Sequence, residues 1–166
     1  MDAPVPAPEN VETESYRLLV QLLKLGSFVN GPMKDGVCDP CGVSQIEMKV
    51  LMALAGEGDL AGHDLVEIMG VPAMNVSRAL AALREHGWIE GARDPDNRRR
   101  RPVRLSEAGW TKYREMMPAL EQVASALLAD LSPRQQREFA AVADRIIASM
   151  ADWITAHHAG VKLGPQ

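Results

Sequence analysis

The sequence is poor in the residues that mark a secreted or a membrane-spanning protein. Only 2 of its 166 residues are cysteine and only 4% are aromatic, and no run of 18 apolar residues occurs. The missing apolar run excludes the usual signature of a transmembrane helix. The N-terminus has neither a basic nor an apolar segment, so no secretory signal is expected, and two cysteines then predict no disulfide-linked scaffold. We therefore expect a cytoplasmic protein without a membrane partner.

Patterns typical of enzymes are also missing. The sequence has no Ser-His-Asp ordering, no phosphate-binding loop and no pair of carboxylates placed for acid–base chemistry. His63 and His86 are isolated, and the remaining histidines form the adjacent pair His157-His158. Neighbouring residues on a helix point about 100° apart, which makes that pair a poor chelate. We expect no catalytic residues, no cofactor and no metal site.

Charge is distributed unevenly along the chain. The formal net charge is −4, which argues against a protein that coats nucleic acid generally. The segment 72–104 nevertheless carries eight arginines against four acidic residues, a charge of +4, and leaves −8 for the rest. A basic patch on an acidic body can bind a polyanion locally while the body is repelled by it.

Apolar spacings and capping signals predict a mainly α-helical chain with a small β-wing of two or three strands. The proline-rich residues 1–10 predict a flexible arm, and 11–166 predict a single domain. A first helix is expected from about Val11 until Gly31-Pro32 ends it, and a loop is expected from Met33 to Val43.

The later elements follow from similar signals. Capping boxes at Ser44 and Ser132 predict two helix starts, and Pro118 is expected to kink or break the helix that contains it. The further predicted elements are helices from Gly62 to Met69, Pro72 to His86 and Glu107 to Ala129, strands from Trp88 to Ala92 and Pro102 to Leu105, and a final helix after Ser132.

Two short helices joined by a glycine-containing turn and followed by a basic hairpin indicate a winged helix-turn-helix. In the second helix, Val76, Leu80 and Leu83 fall on one face, and Arg78 points away from it. An amphipathic surface helix beside a solvated charged hairpin would show a similar pattern, but the order of elements favours DNA binding.

Small and polar residues on the outward face let such a helix approach base edges in a groove about 12 Å wide. Asn75 and Arg78 are suited to reading bases, whereas Ser77 is suited to holding a phosphate. Of four consecutive arginines in the hairpin, alternation along a strand prevents all from facing DNA, and the first two suit a narrow minor groove. The predicted DNA-binding residues are Met74, Asn75, Ser77, Arg78, Arg98, Arg99 and Arg100.

These stretches together resemble the MarR family (multiple antibiotic resistance regulators). The resemblance is carried by both helices, the wing and the wing's exit, at residues 65–71, 75–80, 83–89, 94–99 and 103–109. It covers about 44–109 strongly, and the outer helices only in length and order. One departure is Asn97, where the family wing has an aspartate that helps to orient a wing arginine. Asn97 lacks that charge, so we expect a more weakly held wing.

The resemblance implies a homodimeric regulator that represses from a pseudo-palindromic operator in double-stranded DNA until a small molecule, phenolic or lipophilic, releases it. It implies a DNA-binding lobe at 44–109 and a helical dimerisation region at 11–30 and 110–158. The family's ligand cleft lies between the dimer helices and the lobe. By resemblance, the residues that could line it are Tyr16, Leu19, Leu23, Met48, Met52, Tyr113 and Met117.

The pair Cys38 and Cys41 leaves several functions open. A C-x-x-C pair can be a redox switch, half of a zinc site whose other half is missing here, or two ordinary thiols. A redox-responsive regulator, or a thiol- or metal-dependent protein, that uses this pair is accordingly the alternative to a ligand-released repressor. A third alternative is an adaptor that keeps the fold without binding DNA. The wing arginines favour the DNA-binding hypothesis, because an enzyme has no need of them.

Overall fold

The computed structural model describes residues 13–94, 97 and 100–158. For His157 and His158 it describes the backbone alone. The predicted arm at 1–10 lies outside the described residues. The chain divides into two compact units, one ending at Val123 and the other beginning at Ala124. The described elements are mainly helices, with a two-stranded antiparallel sheet, which confirms the predicted fold class.

Four consecutive helical segments open the described part of the chain. They are α1 (Glu14–Phe28), α2 (Asn30–Met33), a π-helix (Lys34–Cys38) and α3 (Asp39–Cys41). The side-chain oxygen of Thr13 accepts a hydrogen bond from the Tyr16 N–H at 3.2 Å and thereby begins α1. The run ends at Gly42, whose φ of 64° is left-handed and carries no steric penalty for glycine.

The predicted helix end at Gly31-Pro32 and the predicted loop from Met33 to Val43 are therefore wrong. Pro32 lies in the first turn of α2, where amide hydrogens have no intrahelical acceptor, so a missing N–H costs little. The Asn30 side chain donates to the carbonyls of Gly26 and Ser27 at 3.0 and 3.2 Å and so satisfies the last carbonyls of α1. The chain remains helical through residues whose local propensity predicts a turn.

Three helices and a hairpin complete the winged lobe. They are α4 (Gln45–Glu57), α5 (Gly62–Met69), α6 (Ala73–Glu85), β1 (Ile89–Gly91) and β2 (Val103–Leu105). The predicted capping box is formed, because Ser44 Oγ accepts from the Glu47 N–H at 3.2 Å and Glu47 accepts from the Ser44 N–H at 2.8 Å. The bounds of α5 are those predicted, whereas Pro72 precedes α6 instead of being its first residue.

The helices and the hairpin bury one hydrophobic core. Along β2, Val103 and Leu105 are buried while Arg104 between them is exposed, which is the alternation of a strand with one covered face. The fully buried large side chains of the first unit include Val37, Met48, Leu51, Leu54, Leu65, Val76, Leu83, Val103 and Met116.

Two long helices follow the hairpin. They are α7 (Glu107–Leu127) and α8 (Pro133–His158). α7 passes through Pro118 without a break. The predicted capping box at the start of α8 is formed, since Ser132 Oγ accepts from the Gln135 N–H at 3.3 Å and Gln135 accepts from the Ser132 N–H at 2.9 Å. No helix within the described residues combines the length and apolarity needed to cross a membrane.

Candidate nucleic-acid interface

Helix α6 is fixed by one face and leaves the opposite face exposed. Val76, Leu80 and Leu83 are buried, as predicted, and Ala79 joins them. Ser77 and Arg78 are exposed, and Asn75 is half-buried. Gly87, with a φ of 70°, turns the chain from the end of α6 toward β1. The outward face therefore presents the polar side chains that the sequence predicted for it.

Strand β2 has a backbone partner on each of its two edges. β1 pairs with β2 so that Ile89 lies opposite Leu105 and Gly91 lies opposite Val103. On the other edge, Leu60 and Val103 exchange two backbone hydrogen bonds of 3.1 and 2.8 Å. The base of the wing is thus tied to the segment that connects α4 with α5.

The start of α7 is packed directly onto the residue that precedes β1. The Ser106 N–H donates to the Trp88 carbonyl at 3.0 Å, and Ser106 Oγ accepts from the Gly109 N–H at 3.0 Å. A Cβ atom at Gly109 would lie 1.9 Å from the Trp88 carbonyl oxygen, far inside van der Waals contact. Glycine is therefore required where the wing's exit meets its base.

The sequence analysis predicts that Arg100 binds DNA. In the structure, two carboxylates of the lobe hold its guanidinium group. Its Nη2 donates to Asp64 Oδ2 in the first turn of α5, and its Nη1 donates to Asp94 Oδ2 at 3.1 Å. The Arg100 side chain is 31% exposed and the Asp64 side chain 21%. Held in this way, Arg100 stabilises the base of the wing.

Asp64 has a second role in the same cluster. Its Oδ2 also accepts from the Ala61 N–H at 2.7 Å, which satisfies a free amide at the start of α5. Burial alone would raise the pKa of Asp64, but the bonds from Ala61 and Arg100 outweigh it and lower that pKa. The hydrogen bonds to Asp64 and then Asp94 raise the pKa of Arg100. Both groups are therefore charged at neutral pH.

Asn97 contributes to the wing through its backbone and its amide. Its N–H donates to Asp94 Oδ1 at 3.0 Å, and its Oδ1 accepts from the Arg100 N–H at 3.3 Å. Asp94 accepts both from the Asn97 N–H and from the Arg100 guanidinium. Asn97 therefore helps to hold the backbone between the two wing strands without carrying a charge of its own.

A basic groove that the sequence analysis did not single out lies between the end of α6 and the wing. It has a volume of about 760 Å³, and three arginines outside the predicted set line it: Arg84, Arg93 and Arg101. The clustering of arginine between 72 and 104 was the available signal, but only folding shows which of them share a groove. Arg98 and Arg99, predicted to contact DNA, lie outside the described residues.

The residues suggested for a ligand cleft occupy different environments. Tyr16, Leu19 and Leu23 lie exposed on α1, and Met52 is exposed on α4. Tyr113 and Met117 are half-buried on α7, with the Tyr113 ring edge-on to that of Trp110 at 6.0 Å. Met48, by contrast, is only 2% exposed and fills the core of the first unit.

Both cysteines are free thiols on helical segments. Cys38, the last residue of the π-helix, is buried, and Cys41, in α3, is half-buried. Burial raises the pKa of the Cys38 thiol, and nearby Asp39 adds to that effect. A neutral thiol is a poor nucleophile, so this environment argues against Cys38 as a reactive residue in the unliganded protein.

Comparison with known proteins agrees with this architecture. Residues 42–100 match the MarR family. The chain is 26% identical over 101 residues, 61% of this chain and 73% of the other, to YwoH, an uncharacterized HTH-type transcriptional regulator of Bacillus subtilis. Among solved structures, a MarR-family regulator from Silicibacter pomeroyi is similar with a TM-score of 0.69, at 20% identity over 83% of this chain and 92% of that one.

A second solved structure carries information on a ligand. BpsR of Bordetella bronchiseptica, whose DNA binding is regulated by 6-hydroxynicotinic acid, is similar with a TM-score of 0.61. The identity is 19%, over 84% of this chain and 97% of BpsR. Residues 42–100 thus match the MarR family, and the described fold is similar to solved structures of MarR-family regulators.

Proposed function

We propose that this protein is a cytoplasmic repressor that binds a pseudo-palindromic operator as a homodimer and is released by a small organic ligand. The observation that carries the proposal is the division of α6 into two faces. Val76, Leu80 and Leu83 are buried, whereas Ser77 and Arg78 are exposed beside a basic wing. A helix held by one face and polar on the other is the arrangement that reads a major groove.

In this proposal, the residues of each lobe contact different parts of the DNA. Arg78, with Asn75 and Met74, faces the base edges, and Ser77 holds a phosphate. Arg98 and Arg99 at the wing tip enter the neighbouring minor groove, where a narrow groove concentrates negative potential. Arg100 is left to fix the base of the wing, because two carboxylates hold its guanidinium.

The second unit supports a dimer. Along α8, large apolar side chains repeat at spacings of three and four and stay exposed: Phe139, Val142, Ile146, Met150 and Trp153. The last four of them line an apolar groove of about 780 Å³ on this helix. An apolar stripe of this length is costly in water, and a second copy of the chain covers it in the proposed dimer. Two lobes related by a two-fold axis then match half-sites about one helical turn, roughly 10 base pairs, apart.

The ligand class is inferred from the family and from BpsR, whose DNA binding responds to a small hydroxylated aromatic acid. A phenolic or lipophilic molecule fits the exposed apolar residues of α1 and the half-buried Tyr113 and Met117. Since Met48 is a core residue, we propose that the other six predicted residues supply the ligand contacts.

Selection of bound genomic fragments tests the proposal. The full-length chain is mixed with sheared genomic DNA from its source organism at physiological salt, and the retained fragments are sequenced. We expect enrichment of one or a few sites with two-fold symmetry, and the genes beside them indicate ligands to try. Uniform recovery of all fragments, or recovery of none, would contradict a sequence-specific repressor.

A further inference from the structure

Two sulfur atoms are in contact inside the first unit. The Sγ atom of Cys38 lies 3.6 Å from the Sδ atom of Met48, and each residue is only 2% exposed. Cys38 ends the π-helix, and Met48 lies in the first turns of α4, so two separate elements bring a thiol and a thioether together. π-helical turns are rare and often occur at functional sites.

A third sulfur lies on the same helical run. Cys41 follows Cys38 by three residues, and residues three apart on a helix share a face with Cβ atoms about 5–6 Å apart. Cys41 is half-buried and packs against the same hydrophobic cluster that contains Cys38 and Met48. Because Cys41 is partly exposed, solvent can reach the otherwise buried sulfur atoms through it.

We propose that Cys38, Cys41 and Met48 form a three-sulfur binding site for Cu(I). Thiolate and thioether ligands are soft and select Cu(I) over harder cations. A structural zinc site requires four nitrogen, oxygen or thiolate ligands, and among the described residues no group of three or more His, Cys, Asp or Glu side chains is placed to hold a metal ion. The third donor here is a thioether, which suits copper and leaves zinc short of ligands.

Binding forms two Cu–thiolate bonds and one Cu–thioether bond, and the two thiol protons leave to solvent without any change of oxidation state. The occupied site then carries a single negative charge. The ammonium group of Lys112 donates to the Cys41 carbonyl at 2.7 Å, and the Lys112 side chain is only 16% exposed, so a positive charge lies close by. The same Lys112 lies 5.1 Å from the centre of the Trp88 ring, at the base of the wing.

Anaerobic titration of the full-length chain with Cu(I), in competition with a coloured Cu(I) chelator, tests this site. We expect the wild type to bind one Cu(I) per chain. Met48→Leu keeps the side-chain volume but removes the sulfur, and it should weaken Cu(I) binding by about 10- to 100-fold. Loss of a group that only supports a metal ligand already has an effect of about this size. Met69→Leu, at a half-buried position in α5, is the matched control and should bind like the wild type.

Two cysteine variants and a second measurement complete the test. Cys41→Ser changes a half-buried position and should reduce affinity at least as much as Met48→Leu, even if the buried Cys38→Ala is too unstable to purify. Ag(I), a soft ion without redox chemistry, should raise the Tm of the wild type and of Met69→Leu. The inference is overturned if Met48→Leu or Cys41→Ser binds Cu(I) like the wild type, if Zn(II) competes equally with Cu(I), or if Ag(I) lowers the wild-type Tm.

Discussion

Arg100 in the wing donates a hydrogen bond to Asp64 in the first turn of α5, 36 residues earlier in the chain. This contact joins the wing to the start of the helix-turn-helix, in addition to the backbone bridge between Leu60 and Val103. Asp94, which follows β1, supplies a second carboxylate to Arg100. The orientation of the wing relative to α6 therefore depends on a charge pair, and the pair can be tested separately from DNA binding.

Asp64→Asn should destabilise the protein by about 1–2 kcal/mol at pH 7, because it removes a charged partner of Arg100 and weakens the first turn of α5. Folding lowers the pKa of Asp64, so its contribution is complete above the unfolded value of about 3.9 and is lost as pH falls through the lower folded value. Urea unfolding at pH 7, 5 and 3 should show the wild-type advantage at the first two pH values and its decline at the third.

Asp59→Asn is the control for this series. Asp59 pairs with Arg104 at 3.0 Å, but both side chains are more than 40% exposed, so the loss should be near zero and at most about 1 kcal/mol. Equal destabilisation by Asp59→Asn and Asp64→Asn would show that the wing base has no special dependence on Asp64.

Gly109→Ala should destabilise the lobe by about 1–3 kcal/mol, because the added methyl group meets the backbone carbonyl of Trp88. Gly56→Ala in α4 is the matched change, since a Cβ there meets nothing within 4 Å, and it should stabilise by up to about 1 kcal/mol. Thermal unfolding followed by circular dichroism distinguishes the two variants. A neutral Gly109→Ala would mean that the wing's exit tolerates displacement.

The wing tip should contribute electrostatic affinity. Replacing Arg98 and Arg99 by alanine should make the slope of log affinity against log salt shallower by about one to two per lobe, as each phosphate contact releases counterions. The double variant Arg134→Ala/Arg137→Ala removes the same charge from the exposed polar side of α8 and should leave the slope unchanged. If both double variants alter the slope equally, the wing makes no contact of its own.

Dimerisation should depend on the apolar side of α8. Ile146→Glu places a charge in the middle of the exposed stripe and should convert the dimer to a monomer at micromolar concentration in sedimentation experiments. Ala148→Glu adds the same charge on the opposite side of the helix and should leave the dimer intact. A wild type that sediments as a monomer at micromolar concentration would end the dimer account altogether.

Local signals in the sequence were sufficient for much of the fold. The bounds of α5, the capping boxes at Ser44 and Ser132, and the inward face of α6 follow from short-range spacing, because capping and amphipathicity act over one or two turns. The exposed stripe of α8 was predictable for the same reason.

What the sequence could not supply depends on contacts between distant residues. The region from Met33 to Val43 contains the usual turn formers, yet packing keeps it helical, and a Cβ at Gly36 would lie 2.4 Å from the Val123 side chain of α7. Asp64 lies 36 residues before Arg100, so a short stretch of sequence around the wing cannot show that Arg100 differs in role from the neighbouring arginines. The contact of Cys38 with Met48 also joins two separate helical segments, so no local sequence pattern predicts it.

The most direct test of the central claim, that α6 reads DNA sequence, is a paired titration of Arg78→Ala and wild type on the selected operator and on a shuffled duplex of equal length. Because Arg78 is exposed opposite the buried face of α6, its loss should weaken operator binding by about 1–3 kcal/mol and leave shuffled-duplex binding almost unchanged. Equal loss on both duplexes would contradict base reading by α6 and would leave Arg78 a phosphate contact only.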